Sequence, residues 1–157
     1  MNVAVAIAAA VAYRSGPCTR RTAERPPPPS ANAATIAPTR TTIAAAREHG
    51  LGVGVAFNPA TDPAAVAKVA GDADIVLCMS IHPGYGGQEF MPEAVDRIAA
   101  LRQALPDEIH IQVDGGIDND NVRSVYDAGA TLIVAGTSIF AREDLQRSYR
   151  RLVQALA

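Results

Sequence analysis

Charge of one sign is nowhere in excess: 14 basic against 16 acidic residues leave a formal net charge of −2. No strong field therefore recruits nucleic acid or an acidic membrane face, and function must be argued from a site. Cysteine is scarce. Cys18 and Cys78 lie far apart, with no CxxC pair and no histidine at ligand spacing. That excludes a disulfide framework or a zinc site of familiar pattern and fits reduced thiols in a cytoplasmic protein. Long apolar runs are missing too. Residues 1–12 are apolar and alanine-rich, but no Lys or Arg precedes them, and a bilayer needs ~20 such residues. Neither a secretory leader nor a membrane span is expected. The 157 residues are about one domain, enough to bury roughly two-thirds of the unfolded surface.

Two unlike regions follow one another. Residues 13–38 are rich in Arg and Pro and carry neither a helical nor a strand period. The four prolines 26–29 lack amide donors and have a fixed φ, so they cannot join a helix or a central strand. Residues 1–40 are accordingly expected to be disordered, or read in the wrong frame upstream of an authentic half-gene. From Thr41 onward, short β-branched runs alternate with helical segments, which argues for parallel strands joined by crossover helices. Helices are expected at 42–49, about 63–70, 92–105, 119–128 and 144–156, and strands at 51–57, 74–81, 109–114 and 131–135. Gly50 and Gly129 stand where helices must end in a left-handed residue, and Asp62 followed by Pro63 opens a helix. These amount to about four β/α units, whereas a closed (β/α)8 barrel takes ~250 residues. The fold class is α/β, the partial (β/α)8 TIM barrel made of residues 41–157.

Three glycine-bearing loops fall at the C-terminal ends of predicted strands, where parallel α/β proteins place their sites. The first runs Pro83-Gly84-Tyr85-Gly86-Gly87-Gln88, the second Asp114-Gly115-Gly116, and the third Gly136-Thr137-Ser138. Glycines let the backbone approach an anion and turn its N–H groups toward it. In phosphate-binding barrels the loops after strands seven and eight hold the phosphate, places the second and third loops take if these are the last four strands. Each glycine alone could equally be a plain turn. Asp114 ends a strand in which His110, Gln112 and Asp114 share one face by the period of two. A partly desolvated acid at that rim suits proton transfer beside a carbonyl. The alternative is a loop cap bonded to backbone amides.

The segments Gly54-Val55-Ala56-Phe57-Asn58-Pro59-Ala60-Thr61, Met79-Ser80-Ile81-His82 with the glycine loop to Phe90, Val113-Asp114-Gly115-Gly116-Ile117, and Val134-Ala135-Gly136-Thr137-Ser138-Ile139-Phe140 resemble, in order and spacing, the second half of ribulose-phosphate 3-epimerases. The resemblance implies interconversion of D-ribulose 5-phosphate and D-xylulose 5-phosphate by two aspartates on opposite faces of the substrate, through an enediolate. It implies one divalent metal (Zn, Fe or Mn) with Asp114 as a ligand and as one of the two acid/base groups. It matches Gly84, Tyr85, Gly86, Gly87, Gly115, Gly116, Gly136 and Thr137 to contacts with a small-molecule sugar phosphate. The family's first half supplies the other metal ligands and the second aspartate, and residues 1–40 hold no counterpart to them. The isolated chain is therefore expected to be inactive or nearly so. Open sheet edges favour self-association. A hexulose-phosphate synthase and a non-catalytic phosphate-binding half-barrel are the other readings.

Overall fold

The computed structural model describes residues 36–156 apart from 83, 85 and 86. The expectations for the proline-rich segment, Tyr85 and Gly86 lie outside the described residues. Helix α1 (Ile36–Glu48) leads into strand β1 (Gly54–Phe57), followed by α2 (Pro63–Ala70), β2 (Ile75–Met79), α3 (Glu93–Ala104), β3 (His110–Asp114), α4 (Val122–Asp127), β4 (Leu132–Val134), α5 (Thr137–Phe140) and α6 (Leu145–Ala155). The strands form one parallel sheet in the order β1-β2-β3-β4.

Parallel pairing with a helix after each strand follows from the local text. Asp62 accepts the Ala64 amide at 2.9 Å and Pro63 opens α2, where its missing N–H costs nothing. Gly50 and Gly129 have φ of 66° and 110°, as expected of residues that end helices, while Gly71 closes α2 in ordinary helical backbone at φ −59°. Val55, Phe57, Val76, Cys78, Ile111 and Val113 point to one face and are fully or almost fully buried. They meet Val66, Ile98, Leu101, Val122 and Val125 from the helices in one apolar core. Each large side chain so buried contributes about 1.5–3 kcal/mol. The other face carries Ala56, Leu77, Met79, Gln112, Asp114, Leu132 and Val134, by the same alternation.

Three differences from the sequence reading have physical causes. Helix α1 begins at Ile36 rather than at residue 42, so the segment expected to lack structure as far as residue 40 gives way to helix earlier. Pro38 falls in its first turn, where no intrahelical N–H bond is required. Helix α4 starts at Val122 rather than at 119, because Asp118 Oδ1 accepts the amides of Asp120 and Asn121 at 2.9 and 3.2 Å and makes a turn there. Residues 137–140, expected only as a loop, form the single helical turn α5.

Candidate functional site

The C-terminal strand ends stand level. Asp114 pairs with Met79 on one side and Val134 on the other, so the three glycine loops leave the sheet from neighbouring positions at one end. Ser80, fully buried, ties the first two together. Its backbone N–H donates to the Asp114 carbonyl at 2.9 Å, and its hydroxyl reaches the Asp114 and Gly115 carbonyls at 2.9 and 2.6 Å. The Ser80 carbonyl in turn accepts the Met91 amide at 2.9 Å, closing the base of the loop between them. Within that loop Gln88 Nε2 donates to the His82 carbonyl at 2.7 Å.

The two glycines after Asp114 are required by contact and by conformation alike. Gly115 has φ 124°, and a Cβ there would lie 2.5 Å from Ile81 Cγ1. Gly116 has φ 65°, and its Cβ would lie 2.5 Å from the Phe90 backbone nitrogen. Neither conformation nor space admits a side chain. The second glycine thus locks the loop after β3 against the end of the loop after β2. Gly84 and Gly87 also have positive φ, 147° and 80°, but nothing crowds them, and nothing crowds Gly136.

A cavity of about 320 Å³ opens where the loops meet, lined among others by Gln88, Glu89, Gly116, Asp118, Thr137, Ser138 and Arg142. Of the residues singled out in the sequence, Gly116 and Thr137 line it, while Asp114 lies two residues before Gly116 at the end of β3. The buried Ser138 Oγ has no partner among the described residues, a donor set without an acceptor inside the fold. Asn121 Nδ2 donates to the Gly116 carbonyl at 2.9 Å and holds the cavity wall from α4. Sequence reasoning missed Ser80, Asn121 and Arg142. Ser80 stood inside a quoted segment, but nothing in its residue type shows that it is buried.

The Asp114 carboxylate is half-buried and makes no hydrogen bond or ion pair among the described residues, so it does not cap the loop. Beneath β2, burial pushes the Cys78 thiol up, partly opposed by the Arg97 guanidinium, which also donates to the Met79 carbonyl at 3.3 Å. His110 is exposed at the far end of β3, its Nδ1 3.1 Å from Thr131 Oγ1. Among the described residues no group of three His, Cys, Asp or Glu could hold a metal ion. A larger concavity, about 720 Å³, lies at the opposite end of the sheet. There Arg40 donates to the Lys68 carbonyl, and Arg47 to the Asp72 carbonyl and Asp74, so its cations serve the fold.

The profile of the ribulose-phosphate 3 epimerase family matches residues 31–140. A ribulose-phosphate 3-epimerase of Serratia marcescens is 38% identical over 109 residues, 68% of this chain and 52% of that protein. The enzyme of that name from Escherichia coli K12 is 34% identical over 119 residues, 74% of this chain and 53% of its own length. The crystal structure of a 3-hexulose-6-phosphate synthase superposes with a TM-score of 0.59 at 22% identity, covering 79% of this chain and 58% of that one, a likeness of fold alone. The chain spans about half the length of the curated relatives it matches. Four parallel β/α units with the loops VDGG and GTS at one end of the sheet, and a family match that starts before α1, together establish that this chain belongs to the ribulose-phosphate 3 epimerase family.

Proposed function

We propose that the chain carries one side of an active site that epimerises D-ribulose 5-phosphate at C3, giving D-xylulose 5-phosphate. The observation that carries this reading is the meeting of the three strand-end loops around one cavity, two residues beyond an uncommitted carboxylate. In the proposed role, the amides around Gly116 and Thr137 and the Arg142 guanidinium hold the phosphate. Gly84, Tyr85, Gly86, Gly87, Gly115 and Gly136 are assigned to the same cradle by resemblance. Asp114 is assigned the proton at C3. Its carboxylate takes the C3 hydrogen as a proton, the electron pair is held as the enediolate, and inversion requires a second acid to return a proton to C3 from the opposite face.

The resemblance assigns that second acid to the family's first half. The divalent metal implied by the resemblance would stabilise the enediolate oxygens. The described residues do not fit one, because Asp114 is a single carboxylate among Met79, Val134 and Gln112. The chain on its own is therefore proposed to turn over little or no substrate. Incubating the purified chain with D-ribulose 5-phosphate and added Zn, Fe or Mn, while following D-xylulose 5-phosphate, tests this. Background rates are expected, and robust turnover would overturn the assignment of the second acid to groups outside the described residues.

A further inference from the structure

Ser80 directly follows β2 and is fully buried, with a hydroxyl that carries a single proton. Two carbonyls lie within its reach, Asp114 at 2.9 Å and Gly115 at 2.6 Å, and the shorter contact places the proton on Gly115. The two acceptors differ in what else holds them. The Asp114 carbonyl also accepts the Ser80 backbone N–H at 2.9 Å, whereas the Gly115 carbonyl has no other partner among the described residues. That carbonyl belongs to the peptide unit whose N–H is the amide of Gly116. In a trans peptide the two groups point in opposite directions, so a hydroxyl that holds the carbonyl on the buried side turns the Gly116 N–H away from itself. Gly116 lines the cavity of about 320 Å³ together with Thr137, and its N–H donates to nothing among the described residues. Rotating this peptide plane changes ψ of one glycine and φ of the next, so no side chain on either flanking residue resists it. The plane beyond, between Gly116 and Ile117, is held separately by Asn121 Nδ2 on the Gly116 carbonyl. For the plane between Gly115 and Gly116, the Ser80 hydroxyl is the one hydrogen bond among the described residues.

We infer that Ser80 is a positioning residue for anion binding: its hydroxyl fixes the peptide plane between Gly115 and Gly116, and so keeps the Gly116 N–H available to a phosphate group in the cavity. The inference deepens the reading of that cavity as a phosphate cradle and rests on it. Ser80 itself meets no ligand, since its hydroxyl is buried and spent on two carbonyls. It acts through Gly116, by deciding which of the two ends of one peptide dipole faces the anion. With the hydroxyl removed, the Gly115 carbonyl is left buried without a partner, and the plane is free to turn. A turned plane presents the carbonyl oxygen where the N–H stood, which repels an anion instead of binding it.

The full chain, isotopically labelled, is to be titrated with inorganic phosphate while the backbone amides of Gly116 and Thr137 are followed by NMR, in the parent and in the variants Ser80→Ala and Ser80→Cys. Both substitutions keep the backbone bonds of residue 80. Alanine leaves a gap where the hydroxyl was, whereas cysteine fills the space with a weak donor. In the parent, both amides are expected to shift along one saturating curve. In both variants the dissociation constant should rise about tenfold, the worth of one charge-assisted hydrogen bond. The shift at saturation should be largely lost at Gly116 and kept at Thr137, a pattern that general loosening of the fold would not produce. Where alanine does not fold, cysteine decides on the same outcomes. A Gly116 response unchanged in the variants would overturn the inference and leave the cradle standing. So would cysteine behaving as serine does while alanine fails, because Ser80 would then act by filling space. A parent in which phosphate moves neither amide would overturn the cradle reading, and this inference with it.

Discussion

Gly116 combines a left-handed backbone with a space already filled by the Phe90 backbone. Gly116→Ala is therefore expected to cost about 1–3 kcal/mol, seen as a fall in Tm, with Gly87→Ala costing less because nothing crowds that position. Equal losses at the two sites would contradict the contact described for Gly116. Asp114 behaves in the opposite way. Its carboxylate has no partner to lose, so Asp114→Asn should change stability by less than about 0.5 kcal/mol. In an assembled barrel the same substitution should lower epimerisation about a hundredfold or more. The place of Asp114 at the end of β3 was legible in the sequence because strand alternation fixes which residues share its face. The buried Ser80 was not, since it fell within the strand expected at 74–81, whereas β2 ends at Met79 and its bonds to the next loop show only once the neighbouring strand is placed beside it. Cys78 is fully buried and its thiol is pushed up by that burial, so iodoacetamide labelling mapped by mass spectrometry should leave it unmodified in the folded chain and label it in denaturant.

Among the elements, the four strands and the order of their connections were readable from β-branched runs and turn residues. The ends were not. The start of α1 was hidden because a proline within its first turn resembles a stop when no hydrogen-bond ladder is visible, and α5 because four residues carry no period. The junction of α1 with the sheet is held by Asp74. Burial raises its carboxyl, but the Val53 amide, 2.6 Å away, and the Arg47 guanidinium outweigh this and hold it below the usual carboxylate range. A depressed folded value adds stability above the unfolded value and loses it as pH falls through the folded one. Asp74→Ala should therefore cost about 1 kcal/mol at neutral pH. Its Tm difference from the parent should close in acid below the ordinary aspartate range. A difference that persists there would show that the side chain acts by packing instead.

At the scale of the molecule, the sequence disclosed a half-barrel because its count of β/α units falls short of closure. Which loops touch was beyond its reach, since that depends on how far each leans once the strands are level. The structure brings Gln88, Gly116, Thr137 and Ser138 around one cavity, and a side chain at Gly84, Gly87 or Gly136 would meet open space. That gathering is the central claim. Titrating the isotopically labelled chain with D-ribulose 5-phosphate and following its backbone amides by NMR tests it most directly. The account predicts that the resonances of Gln88, Gly116, Thr137 and Ser138 move together along one saturating curve. Resonances that stay fixed, or that move only at the Arg40 and Arg47 end of the sheet, would contradict it.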